Sequence, residues 1–174
     1  AYHELTGSRE ALDLAKTAFN WLDDHYHDPQ YGGYFNYADR RGISFNNKEQ
    51  FNAGGAPEES RALATYKDYN SSIHLMEAFS ALYMQWPDPR VRDRLKEIFT
   101  IVRDTMCTSP GYLNMYFTED WQHVSFRDSS RNFILDYSWF DHVSFGHDVE
   151  TAFLLLEAEA VLGLREAGSA LWLM

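Results

Sequence analysis

Cysteine is nearly absent: Cys107 stands alone among 174 residues. One thiol leaves no internal disulfide framework and no cysteine-based zinc site. The pattern puts it just after a helix end, where the dipole disfavours a thiolate, so it is a poor nucleophile. Basic residues are scarce too. Lys and Arg number 15 against 26 Asp and Glu, for a net charge of −11. That balance argues against nucleic acid or an anionic membrane as the main partner. No apolar run approaches the ~20 residues of a membrane span. No glycine-rich loop of the P-loop or dinucleotide kind is present; the glycines of YGGYF and AGGAP mark turns. The chain opens AYHELTG, without Met or signal peptide, which reads as the last turn of a helix stopped by Gly7. It closes GSALWLM, which reads as the start of another apolar helix. The expectation is therefore a piece of a longer chain, placed in the cytoplasm.

What is present is a core. Hydrophobic residues make up 45% and aromatics 16%, enough for one folded domain. Aromatic faces suit apolar cores and sugar-ring stacking alike. Helix signals dominate. Ser8 can cap a segment to about His27, with Ala11, Leu14, Ala15, Ala18, Phe19 and Leu22 on one face. DPQYGGYFNYADRRG predicts a turn with an extended piece around Tyr31 to Tyr37. Residues 46–66 are polar and aperiodic, with helix expected around Pro57 to Leu63. Further helices are predicted over Asn70 to Gln85, over Pro89 to Met106 with Val91, Leu95, Ile98, Phe99 and Val102 inward, over Gly146 to Gly163, and from Arg165 onward. GYLNMYFTEDWQHVSF alternates enough to predict a small hairpin. Helix, loop, helix, with long loops at alternate connections, describes an all-α array of αα-hairpins rather than a short-looped bundle. IHLMEAFSAL (73–82) and GHDVETAFLL (146–155) share His-x-x-Glu at the same place, an echo that favours stacked repeats.

The chemistry concentrates in those two motifs. In 144-SFGHDVETAFLLLEA-158, His147 and Glu150 fall on one face of a helix that soon becomes apolar. Ser144 is placed to cap, which puts His147 in the first turn. The positive end of a helix favours a neutral imidazole, the form a general base needs, and Glu150 can orient the ring. The plainer alternative is a histidine bonded to a loop carbonyl, with Glu150 satisfying the helix N-terminus. Asn70, His74 and Glu77 form a second polar trio on an otherwise apolar helix. Asn70, Ser71 and Ser72 compete there as N-caps, and a solvent-wetted helix face explains the trio equally well. Paired His-x-x-Glu helices also raise a di-metal reading. The motif order is reversed from that of di-iron bundles, however, and the other carboxylates, Asp13 and Glu97, are expected on outer faces. Asp136, Asp141, His142 and Asp148 crowd the loop before the fourth helix, which leaves a loop-bound cation open.

At these residues the chain resembles a known family. SFGHDVETAFLLLEA is similar to the Gly-His-Asp-Ile-Glu segment of the N-acylglucosamine 2-epimerase family, above all its cellobiose 2-epimerase branch. KDYNSSIHLMEAFSALY resembles that family's Asn-x-x-x-His-x-x-Glu-Ala helix, and LTGSREALDLAKTAFNWLDDHYHDPQYGGYF its Thr-Gly…Gly-Gly run. The resemblance covers nearly the whole chain. It implies part of an (α/α)6 barrel, with residues 1–174 a single domain supplying the middle hairpins. It implies an isomerase that inverts C2 of a reducing-end aldose, a cellobiose-type disaccharide or N-acylglucosamine, through an enediolate. No metal or redox cofactor takes part. By this resemblance His147 is one of an acid/base pair and Glu150 its partner and a sugar ligand. Asn70, His74, Glu77 and Phe153 are substrate contacts. The partner is a small-molecule sugar, with no nucleic acid and no membrane, and the full-length form is a monomer or homodimer.

Three departures bear on this. The family's second catalytic histidine, near its C-terminus, has no counterpart here, nor does an N-terminal arginine. Phe153 stands where many members carry tryptophan, so an indole N–H donor is missing. The enzyme reading expects Asn70, His74, His147 and Glu150 to converge on one concave surface. The alternatives are an aldose–ketose isomerase, or a non-catalytic αα-toroid that binds sugar or protein. The chain alone is expected to self-associate and to be inactive.

Overall fold

A computed structural model describes residues 2–38, 41–42, 67–108, 111–138 and 141–164. The helices expected around Pro57 to Leu63 and from Arg165 lie outside the described residues. The chain runs α1 (Tyr2–Thr6), α2 (Arg9–Tyr26), β1 (Lys67–Asp68), α3 (Tyr69–Gln85), α4 (Pro89–Ile101), a π-helical turn (Val102–Met106), β2 (Cys107–Thr108), β3 (Tyr112–Leu113), β4 (Tyr116–Phe117), α5 (Arg131–Asp136) and α6 (Phe145–Leu162). No described helix is long and apolar enough to cross a membrane.

The helix ends follow their sequence signals. Gly7 at φ +71° stops α1, a conformation that costs a glycine little. The Ser8 hydroxyl accepts from the Ala11 amide at 3.3 Å and starts α2. Asp88 caps α4, with Pro89 at the first helical position where its missing N–H does no harm. Left-handed Gly163 closes α6, and Leu164 N–H donates back to the Glu159 carbonyl. One cap differs from expectation. Asp68 caps α3 through the Ser71 amide, ahead of Asn70, Ser71 and Ser72.

Helix α3 is the centre of the packing, with α4 and α6 on its sides and α2 at one edge. Ile73, Met76 and Phe79 from α3 meet Val91, Leu95, Ile98 and Phe99 from α4 and Leu154, Leu155 and Ala158 from α6, all buried. The inward set expected for the third helix, Val102 included, is therefore the observed one. Truncating Leu95 here removes contacts worth ~2–5 kcal/mol. The face expected for α2 is different. Phe19 is buried edge-on against Phe79, 5.1 Å between ring centroids, but Leu14, Ala15 and Ala18 stay exposed. The reason is that α3 meets α2 along the edge carrying Phe19.

The expected hairpin over 111–126 is also redrawn. Strand β3 pairs back on β2, Cys107 opposite Leu113, while β4 crosses to β1, Lys67 opposite Phe117. Alternation marks extended backbone but does not choose its partner. The turn after α2 is held in the same long-range way. Lys67, fully buried, donates to Asp28 Oδ2 at 2.6 Å, Gly32 O at 2.7 Å and Glu119 O at 2.8 Å, with the Trp121 ring 4.8 Å away. Glu97 is not the outer-face carboxylate expected. It accepts from the Gly33 amide at 2.8 Å and from His27 Nε2 at 2.9 Å, tying α4 to the turn. Gly33 has φ +73°, and a Cβ there would run into the Trp121 ring. This knot sits directly before Asp68, so it sets where α3 begins.

Candidate active site

Two helix starts and three connecting segments line an open cavity of about 320 Å³. Asp68, Tyr69, Asn70 and Ser71 come from the start of α3, and His147 from the first turn of α6. Asn36 and Tyr37 follow the α2 turn, Met115 and Tyr116 belong to the β4 segment, and His142 precedes α6. His142 also lines a neighbouring polar cavity of about 510 Å³ with Asn114, His123, Ser125 and Asp141.

The His147 ring is held on two sides. Its Nδ1 lies 2.7 Å from Ser144 Oγ, and its ring stands edge-to-face on Tyr69, centroids 5.2 Å apart. Ser144 is the N-cap of α6 by backbone, yet its side chain makes no cap bond. Tyr69 is buried, its hydroxyl close to Ser144 but without a hydrogen bond of good geometry. Burial pushes the Tyr69 phenol up to about 12; Ser144 pulls the other way, and the charges of Asp148, Asp68 and Glu150 each add a smaller push upward. Burial likewise raises the phenols of Tyr37 and Tyr116 and the carboxyl of Asp68. The wall thus combines protonated tyrosine hydroxyls, the Ser71 hydroxyl, the amides of Asn36 and Asn70 and the Asp68 carboxyl with the imidazoles of His142 and His147, which suits a polyhydroxylated ligand.

The structure brings together Asn70 and His147 of the residues anticipated from sequence. His74 and Glu77 lie one turn further along α3, exposed, with His74 Nδ1 and Glu77 Oε2 3.3 Å apart. Glu150 is half-buried beside Tyr69 and, among the described residues, makes no hydrogen bond to His147, so it is Ser144 that touches the ring. Phe153, two turns into α6, is 64% exposed and does not line the cavity. Periodicity could not find Tyr69, Tyr37, Tyr116 or His142 as wall residues, because turns and strands from distant parts of the chain bring them there.

The loop carboxylates have separate uses. Asp148 is buried and accepts from the Leu113 amide at 3.1 Å, which ties the β2–β3 hairpin to α6. Asp141 accepts from Phe126 N at 2.6 Å and Ser125 Oγ at 3.1 Å, and His142 Nδ1 donates to the Ser138 carbonyl at 3.0 Å. Among the described residues no three His, Cys, Asp or Glu side chains are grouped to hold a metal ion. Burial, with Asp148 and Asp104 nearby, pushes the Cys107 thiol up to about 11, in line with its poor prospects as a nucleophile.

A family model for N-acylglucosamine 2-epimerase (GlcNAc 2-epimerase) matches residues 44–174. A cellobiose 2-epimerase of Bacteroides fragilis is 28% identical over 163 residues, covering 93% of this chain and 36% of its own length. One from Ruminococcus albus is 27% identical over 169 residues, covering 94% and 36%. The solved cellobiose 2-epimerase of Spirochaeta thermophila superposes with a TM-score of 0.71 at 29% identity, over 98% of this chain and 38% of that one. That of Bacillus thermoamylovorans gives 0.74 at 20% identity, over 98% and 39%. The chain therefore spans little more than a third of the length of these relatives. These solved neighbours are (α/α)6 barrels, and the helical array described above is part of that fold.

Proposed function

Because the chain belongs to the N-acylglucosamine 2-epimerase family, we propose that the protein is a carbohydrate 2-epimerase, an isomerase acting on the reducing-end aldose of a β-linked disaccharide of the cellobiose type. The observation that carries the reading is the shared cavity: Asn70 and an oriented His147 line the same open, hydroxyl-rich hollow.

The reaction proceeds on the open-chain aldose. His147 Nε2 takes the C2 proton; the C–H electrons form the C1=C2 bond, and the carbonyl π electrons move onto the C1 oxygen. The resulting enediolate carries charge on oxygen, where polar groups such as Asn70 and His74 hold it. A second proton carrier returns a proton to C2 on the opposite face, and the configuration inverts. In this reading that second group is the histidine near the family's C-terminus. Glu150 orients the sugar beside His147, Glu77 sets His74, and Phe153 offers an aromatic face to the distal ring. Neither metal nor redox cofactor enters the proton transfers.

The test is proton exchange at C2 of cellobiose in D₂O, followed by NMR on the full-length protein and its His147→Ala variant. Deuterium at C2 with an epimerised product, both lost in the variant, is the expected result. No exchange with cellobiose, mannobiose, N-acylglucosamine or mannose would leave a sugar-binding toroid. Deuterium with a ketose product would make it an aldose–ketose isomerase.

A further inference from the structure

A serine at an N-cap normally spends its hydroxyl on a helix amide. Ser144 does not. Its carbonyl accepts from the Asp148 amide at 3.0 Å, which starts the helix, and its hydroxyl turns to His147 Nδ1 at 2.7 Å. With Nδ1 taken, Nε2 is the nitrogen left for the cavity. The ring is set against the face of Tyr69 at 82°, and Tyr69 itself is 1% exposed. Among the described residues the Tyr69 hydroxyl is buried without a hydrogen bond of good geometry, and Ser144 is the hydroxyl beside it.

We infer that Ser144 is a positioning residue that holds His147 as its Nδ1–H tautomer, with Tyr69 fixing the plane of the ring. The inference rests on the base role proposed above. A neutral imidazole carries one proton. To accept the C2 proton at Nε2, that proton must be on Nδ1, where it donates to Ser144 Oγ. Once Nε2 is protonated, the imidazolium keeps the same Nδ1–H···Oγ bond. Ser144 therefore serves both states of the ring without moving. The opposite tautomer, with the serine hydroxyl donating to Nδ1, puts hydrogen on Nε2 and leaves no lone pair toward the substrate. The role expected from sequence for Glu150, three residues after the histidine, falls instead to a serine three residues before it.

The experiment uses full-length protein labelled with ¹⁵N-histidine. Long-range ¹H–¹⁵N correlations at a pH where His147 is neutral report its tautomer, with His147→Gln assigning the signal. The expected wild-type pattern is Nδ1–H, moving toward Nε2–H in Ser144→Ala and restored in Ser144→Thr. Alongside, kcat for C2 epimerisation falls about tenfold in Ser144→Ala, the scale of one hydrogen bond, with KM within about twofold and recovery in Ser144→Thr. A wild-type ring in the Nε2–H form overturns the inference, and that spectrum needs no variant to fold. So does a Ser144→Ala protein that keeps the wild-type tautomer. The two readings fail separately. C2 exchange with an Nε2–H ring keeps the epimerase and removes the serine's role. An Nδ1–H ring without exchange on any sugar keeps the placement and removes the epimerase.

Discussion

The starts of α3 and α6 carry the same His-x-x-Glu spacing and could hardly differ more in surroundings. On α3, His74 pairs with its own Glu77 at 3.3 Å, both side chains about half exposed. On α6, His147 turns away from Glu150 toward Ser144 and stands on the ring of Tyr69. Identical spacing put both pairs on one face of a helix. What differs is what stands beside the histidine: solvent at His74, and the buried Tyr69 at His147. The anchoring of the two starts differs as well. The start of α3 is fixed from behind by the buried Lys67–Asp28 pair, and α6 by Asp148 on the Leu113 amide. A motif repeated in sequence has thus become one open polar pair and one oriented imidazole.

The sharpest way to break this comparison is to remove each histidine in turn. His147→Ala is expected to lower kcat/KM for C2 epimerisation by about 10²–10⁴-fold, the scale of a lost general base. His74→Ala should cost less, on the order of 10-fold to 10²-fold, as the loss of a hydrogen-bonding contact. Equal losses would put both histidines in the same role and end the distinction.

Next in size is the anchor of α3. Lys67→Met leaves Asp28 buried without its ammonium, and a urea melt should show destabilisation of about 3–5 kcal/mol. Burial pushes the Asp28 carboxyl up, but Lys67 and the Gln30 and Tyr31 amides outweigh it and hold it below its ordinary 3.8. Its stabilising contribution is therefore present above pH 3.8 and lost as pH falls through the lower folded value. Lys67→Met should remove that acid-side slope.

The anchor of α6 has the opposite sign. Burial raises Asp148 above 3.8, against the Leu113 amide and His147. Between 3.8 and its folded value the native state binds the proton first, so stability falls as pH rises through that window. Asp148→Asn keeps an acceptor for Leu113 and should flatten that slope, while Asp148→Ala strands a buried amide at about 1–3 kcal/mol. Thermal melts of both variants across pH 3–7 check the contrast. The smallest effect belongs to the exposed pair: Glu77→Gln should shift stability by less than about 1 kcal/mol in the same melts. A larger loss would mean that the α3 pair is as embedded as its counterpart.

Much of the helical frame could be read directly from the chain. Gly7, Ser8, Pro89 and Gly163 mark ends that the structure keeps within a residue or so, because caps are local chemistry. The inner side of α4 followed from period alone, since Val91, Leu95, Ile98 and Phe99 had one place to go. Partners were harder. The 111–126 segment alternates as a hairpin should, yet its two strands pair with β2 and with β1, the latter some fifty residues earlier in the chain. The site divides the same way. Asn70 and His147 were visible as polar residues on apolar helices; the tyrosines beside them were not, because nothing local distinguishes them from core or loop residues, and His142 stood out only within a loop cluster, not as a neighbour of His147.

By itself, then, the sequence determined the long described helices, most of their ends, the two polar motifs and the family. Those rest on backbone hydrogen bonding, side-chain period and a run of motif residues, all encoded within a few turns of chain. Tertiary structure alone decided which histidine is held, by what and against what. A hydroxyl's choice between a helix amide and an imidazole turns on where a buried tyrosine from another helix stands, and no local pattern carries that position.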